Sequence, residues 1–194
     1  IIQTEAKKAI LSVNLCAHSG IERVEIRNAS KVIKTFKSYD SSDIGNRIRV
    51  LWKGAEYRGR GRNTEWNGHA QFQGTTLSDF KTINQWNPEQ LLEQRGSDTV
   101  IWNTVTTGNF MGFDAWLSNN HGLLNISTNH GKMDVDLEQV NLLDNKLELG
   151  GLDKMIIVSR LPSKKLKREI KFTEEIELNL HGDTPIWICA TTED

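Results

Sequence analysis

Cysteine, helix signals, long apolar runs and excess charge are all scarce in this chain, and each scarcity closes off a class of protein. Two cysteines, Cys16 and Cys189, cannot build a disulfide framework. Each lies in a strand-like run, which predicts two buried free thiols. A bridge between them requires the first and last strands to be neighbours. The formal net charge is −1, so the basic excess usual in nucleic-acid and membrane-surface binders is missing. No apolar run approaches the roughly 20 residues of a membrane-spanning helix, and no stretch reads as a signal peptide. A cytoplasmic location is therefore the expectation. Without a signal peptide, the sequons Asn28-Ala29-Ser30 and Asn125-Ile126-Ser127 carry no weight. The first residue is Ile1 and the last two are Glu193-Asp194, close behind an apolar run. Both ends read as cut, so the chain reads as a piece of a longer protein.

What is present is a period of two. Leu11, Val13 and Leu15 alternate with Ser12, Asn14 and Cys16. Val24 and Ile26 alternate with Glu25 and Arg27, and after Asn28-Ala29-Ser30 the run Val32–Phe36 turns back as a hairpin. Ile48, Val50 and Trp52 alternate with Arg47, Arg49 and Leu51. Asn67-Gly68 reads as a tight turn leading into Ala70–Gln73. Further strands are expected at Thr99–Val105, Phe113–Leu117, Leu123–Ser127, Met133–Leu137, Met155–Ser159, Ile170–Leu178 and Ile186–Ala190. Only Pro88–Arg95 carries helix signals, with Asn87 as cap. Many short strands and few short helices predict an all-β, mainly antiparallel β-sandwich of the immunoglobulin or jelly-roll kind, as a single domain over 1–194. The charged run Ser163–Glu169 reads as a solvated strand edge.

The strongest local signal is Arg49–Gly68, RVLWKGAEYRGRGRNTEWNG. Arg58, Arg60 and Arg62 alternate with Gly59 and Gly61 between Tyr57 and Trp66. If extended, period two places the three guanidiniums on one face and bare backbone on the other. The planar forks suit carboxylate or phosphate. The stripe then either reads an anion or a partner's acidic surface, or pairs internally with Glu56, Glu65 or acids on a neighbouring strand. One RGRGR in a chain of this charge is too little for nucleic acid.

Six tryptophans suggest core or a sugar platform. Trp52, Trp102, Trp116 and Trp187 sit in apolar runs and are expected in the core. Trp66 and Trp86 have polar neighbours and are the platform candidates. No histidines stand at zinc-pair spacing, and Asp134-Val135-Asp136 lacks a calcium-loop continuation. No nucleophile elbow, P-loop or dinucleotide fingerprint occurs. No catalytic residue, metal or cofactor is expected within the chain.

GIERVEIRNASKVIKTFKSY, RIRVLWKGAEYRGRGRNTEWNG, INQWNPE, TVTTGNFMGFDAWL, GGLDKMIIVSRLP and GDTPIWICATTED follow one another in that order. Together, from about residue 10 onward, they resemble the C-terminal region of a large uncharacterised family. In that family a metal-dependent hydrolase domain similar to the PHP (polymerase and histidinol phosphatase) phosphoesterases precedes this region. The resemblance implies that divalent-metal ligands lie upstream of Ile1 and that this chain is not itself an enzyme. It implies a non-catalytic accessory domain that packs on the catalytic domain, buttresses its active-site side or builds a homo-oligomer. Tyr57, Arg58, Arg60, Arg62, Trp66 and Trp86 are the expected contact residues. The alternative is a carbohydrate- or anion-binding module. In a third reading the arginines reach substrate in the upstream active site.

Overall fold

The computed structural model describes residues 5–29, 31–59, 62–179 and 181–193. The chain is all-β; the described residues form four antiparallel sheets, with the 3-10 turn Leu137–Gln139 between strands. No helix among the described residues is long and apolar enough to cross a membrane. The chain groups into two compact units, residues 1–40 with 164–194, and residues 41–163.

In the first unit, β1 (Lys8–Cys16) pairs antiparallel with β14 (Glu169–Glu177). A second sheet has the order β15-β2-β3, from β15 (Ile186–Thr192), β2 (Ile21–Asn28) and β3 (Lys31–Lys37). The expected β2–β3 hairpin is present, with Ala29 at φ 51 in its turn. Phe36 of β3 stacks on Phe172 of β14, centroids 3.8 Å apart, and Lys34 Nζ meets Glu174 Oε1 at 2.6 Å. Val24 and Ile26 are fully buried. Both cysteines are exposed and free, against the expectation of burial. Trp187 is likewise 60% exposed rather than core. In both runs the period of two is real, but Cys16, Trp187 and Cys189 fall on its exposed phase.

The second unit is a sandwich. One sheet has the order β11-β10-β5-β8-β7, from β5 (Thr64–Gln73), β7 (Leu91–Arg95), β8 (Thr99–Thr106), β10 (Leu123–Thr128) and β11 (Lys132–Asp136). The other has the order β12-β13-β4-β9-β6, from β4 (Ile44–Ala55), β6 (Leu77–Ile83), β9 (Phe110–Leu117), β12 (Asn145–Glu148) and β13 (Leu152–Pro162). Alternation fills the space between them: Ile48, Val50 and Trp52 from β4 meet Trp66, Ala70 and Phe72 from β5 and Val100 and Trp102 from β8 in one core. Trp52 and Trp102 stack across the two sheets, centroids 4.5 Å apart and 11° from parallel, with Phe113 tilted against both. Trp52 Nε1 donates to Thr104 Oγ1 at 2.9 Å.

Two sequence readings fail here for physical reasons. Asn67-Gly68 is no turn but the middle of β5. A Cβ on Gly68 would stand 2.7 Å from Trp102 Cζ2, so this glycine makes room for the indole. Pro88–Arg95 forms no helix. Gln90 N donates to Asn87 O, closing a turn with Pro88 at its second position, and Leu91–Arg95 then pairs with β8. Leu91 and Leu92 side by side imitate a helix face, yet only Leu92 enters the core.

The other face of β4 carries Arg47 and Arg49, both buried around Asp114 of β9. Arg47 Nη2 donates to Asp114 Oδ2 at 2.6 Å, and Arg49 Nε to Asp114 Oδ1 at 2.7 Å. The Arg47 guanidinium also lies 5.0 Å from the Trp116 ring. Burial pushes the Asp114 carboxyl up, but the hydrogen bonds and charges of Arg49 and Arg47 outweigh it and hold it below its ordinary value. A depressed carboxyl contributes stability that is full above its unfolded value and is lost as pH falls through the folded one. Asp114→Asn is therefore expected to cost about 3–5 kcal/mol in neutral urea melts, because two buried guanidiniums lose their counter-charge. That penalty should shrink as pH falls from the carboxyl's ordinary 3.8 through its lower folded value, where the folded parent loses the same charge. A neutral-pH cost under about 1 kcal/mol would contradict the assignment.

Candidate functional site: the loop end of the sandwich

Antiparallel order in the second unit sends five connections to one end of the sandwich: residues 56–63, 84–90, 107–109, 129–131 and 149–151. The chain enters and leaves this unit at its other end. Residues 56–63 join the central strands β4 and β5, 107–109 join their neighbours β8 and β9, and 84–90 join the outer strands β6 and β7. The arginine loop, the Thr107–Asn109 loop and the Trp86 loop thus follow one another across the end.

A hydrogen-bonded relay beneath the loops holds them. Trp66 Nε1 donates to Thr106 Oγ1 at 2.8 Å, and Thr106 Oγ1 donates to Gly54 O at 2.7 Å. Gly54 N donates to Asn109 O, and Gly108 N to Gly54 O, each at 3.2 Å. On one flank Asn84 Nδ2 donates to Phe110 O at 3.1 Å. On the other, His130 Nε2 donates to Glu65 O at 2.7 Å, and its ring stands edge-on to Trp66.

The predicted contact residues divide. Trp66 is fully buried, so its reading as an exposed platform is corrected: polar sequence neighbours point outward while the indole takes the inward phase of β5. Trp86 is 82% and Tyr57 66% exposed, and Arg58 and Arg62 are exposed. Arg60 lies outside the described residues. The expected extended stripe is not formed by its flanks. Gly59 has φ 111 and Arg62 φ 52, with Arg62 N donating to Gly59 O, so the chain bends here. A left-handed arginine costs about 1–2 kcal/mol, a strain that clusters where loops have work to do.

The internal pairing weighed for the arginines is absent among the described residues. Glu56 is taken by Lys154, whose Nζ donates to Glu56 Oε1 at 2.7 Å and holds that carboxyl below its ordinary value. Neither Arg58 nor Arg62 has a side-chain hydrogen bond or ion pair among the described residues. Phe110 and Leu152, each 37% exposed, are not singled out by the sequence; only the strand order brings them to the same end of the sandwich as Tyr57 and Trp86. Four of the five exposed large hydrophobics of this unit therefore sit at its loop end, Leu143 being the fifth.

The opposite end holds a cavity of about 310 Å³ lined by Arg160, Asn120, His121 and Glu138. Arg160 is committed to the fold: it donates to Val140 O, Gly45 O, Asn120 Oδ1 and Leu137 O at 2.5–3.0 Å. Among the described residues no three His, Cys, Asp or Glu side chains gather into a metal site. Asp134 accepts from Asn125 Nδ2, and Asp136 caps the 3-10 turn.

Comparison with family models, with curated proteins and with solved structures gives no match.

Because Arg62 is strained and exposed, Arg62→Gly is expected to leave stability unchanged or raise it by up to about 1 kcal/mol in urea melts. A loss of more than about 1 kcal/mol would place its guanidinium in the internal network of the fold instead.

Proposed function

We propose that this chain is a non-catalytic accessory domain that docks onto an acidic protein surface through the loop end of its sandwich. The observation that carries this is that exposed Tyr57 and Trp86, on loops, and Phe110 and Leu152, at strand starts, share one end with Arg58 and Arg62, which have no side-chain partner among the described residues. Exposed aromatics and arginine are the residues in which interface energy concentrates. Here they stand on a hydrogen-bonded base, so little conformational freedom remains to be lost on docking. The sequence resemblance supplies the partner in this reading: a PHP-like metal-dependent hydrolase domain N-terminal to residue 1, which holds the divalent metal. A sugar platform made of Trp66 and Trp86 has no support, because Trp66 is buried.

The test is amide hydrogen exchange on the longer chain carrying the hydrolase domain, compared with residues 1–194 alone. Docking predicts slower exchange at 56–63 and 84–90 in the longer chain. It also predicts recovery of fast exchange on Trp86→Ala combined with Arg58→Glu, since truncating an anchoring tryptophan costs about 2 kcal/mol or more. Equal exchange in both chains would refute the reading.

A further inference from the structure

Among the described residues four sheets have eight edge strands, and seven of them carry charge: Lys8 on β1, Glu169 and Glu174 on β14, Lys31 and Lys34 on β3, and acidic or basic residues on β6, β7, β11 and β12. Charged side chains are the ordinary protection of an open edge against pairing with another chain. The eighth, β15, reads IWICATT and has no charge and no proline. Its residues favour strands strongly, and among the described residues it pairs only with β2. Trp187, Cys189 and Ala190 are exposed along it.

We infer that β15 is an assembly edge whose occupant is the β15 of a second copy, paired antiparallel across a two-fold axis. Self-pairing is the geometry that an uncharged edge fits best. A two-fold contact brings each residue near the middle against its own kind, so a charge there would meet a like charge. Pairing centred on the middle of Ile186–Thr192 sets Cys189 opposite Cys189 of the second copy, Ile188 opposite Ala190 and Trp187 opposite Thr191. The exposed indole then covers a cross-strand threonine, and two three-stranded sheets become one of six. Directly opposed residues have Cα atoms about 4.5–5.5 Å apart, within the span of a disulfide. This surface lies in the first unit and does not depend on the loop end of the second.

Sedimentation equilibrium of the 1–194 chain over a wide concentration range tests the inference, with Cys16→Ser as background so that one thiol remains. The expected mass approaches twice that of the chain and falls toward the monomer on dilution. Cys189→Lys and Ala190→Lys, exposed neighbours on opposite faces of β15, should each leave only monomer while far-UV circular dichroism stays that of the parent. Diamide, which takes up the two hydrogens released as the S–S bond forms, should cross-link the background chain through Cys189. A monomer at every concentration, or a dimer that survives both lysine substitutions, would overturn the inference.

Discussion

Trp52 and Trp102 reach from opposite sheets of the second unit and lie face to face at 4.5 Å, and the local sequence around them is shaped by that contact. Two indoles stacked between sheets need a flat space, and Gly68 in β5 supplies it by having no side chain where the Trp102 ring lies. They also bring N–H groups that water no longer satisfies. Thr104 accepts the proton of Trp52, whereas Trp102 Nε1 is buried without a partner among the described residues. Leaving a buried donor unmet costs about 1–3 kcal/mol. The large apolar area buried by the indole and its stack offsets that cost.

The same chemistry, repeated one residue pair further along the strands, turns a core into a platform. Trp66 stands two residues before Gly68, and Thr106 two after Thr104, so the next indole-to-hydroxyl bond falls at the end of the sandwich. Thr106 passes the contact on to Gly54, and Gly54 to the 107–109 loop. A hydroxyl that both accepts and donates thereby ties the ends of β4, β5 and β8 to the start of β9. The exposed Tyr57, Arg58, Arg62 and Trp86 flank this tied region. The opposite surface of β4 is held by charge instead, where Asp114 answers two arginines. β4 is thus buried on both faces.

Strand phase was legible in sequence wherever one face is apolar and the other polar. The expected bounds of β3, β8, β10, β11 and β14 lie within one residue of the observed ones, and those of β15 within two, whereas only the middle of β13 was expected. Two of the failures share a cause: contacts distant in sequence override local turn chemistry. Asn67-Gly68 looks like a hairpin turn until the Trp102 ring is placed over it. Pro88–Arg95 looks like a helix start until β8 offers β7 a ladder. At the loop end, the arginines, Tyr57 and Trp86 were visible as residue types, but Phe110 and Leu152 join them only through strand order. Trp66 and Trp187 exchanged places, one expected outside and found inside, the other the reverse. Neighbour polarity predicts a position's phase poorly when the strand start is not known.

The Trp66–Thr106–Gly54 relay holds the loop end from beneath, which predicts a preorganised surface. Backbone NMR relaxation of Thr106→Val tests it most directly, because valine keeps the shape and removes both hydrogen bonds. Lower order parameters at Gly54–Gly59 and Thr107–Asn109, with β8 and β9 unchanged elsewhere, are the expected result. Loops as rigid as in the parent would refute preorganisation and leave the relay as packing alone.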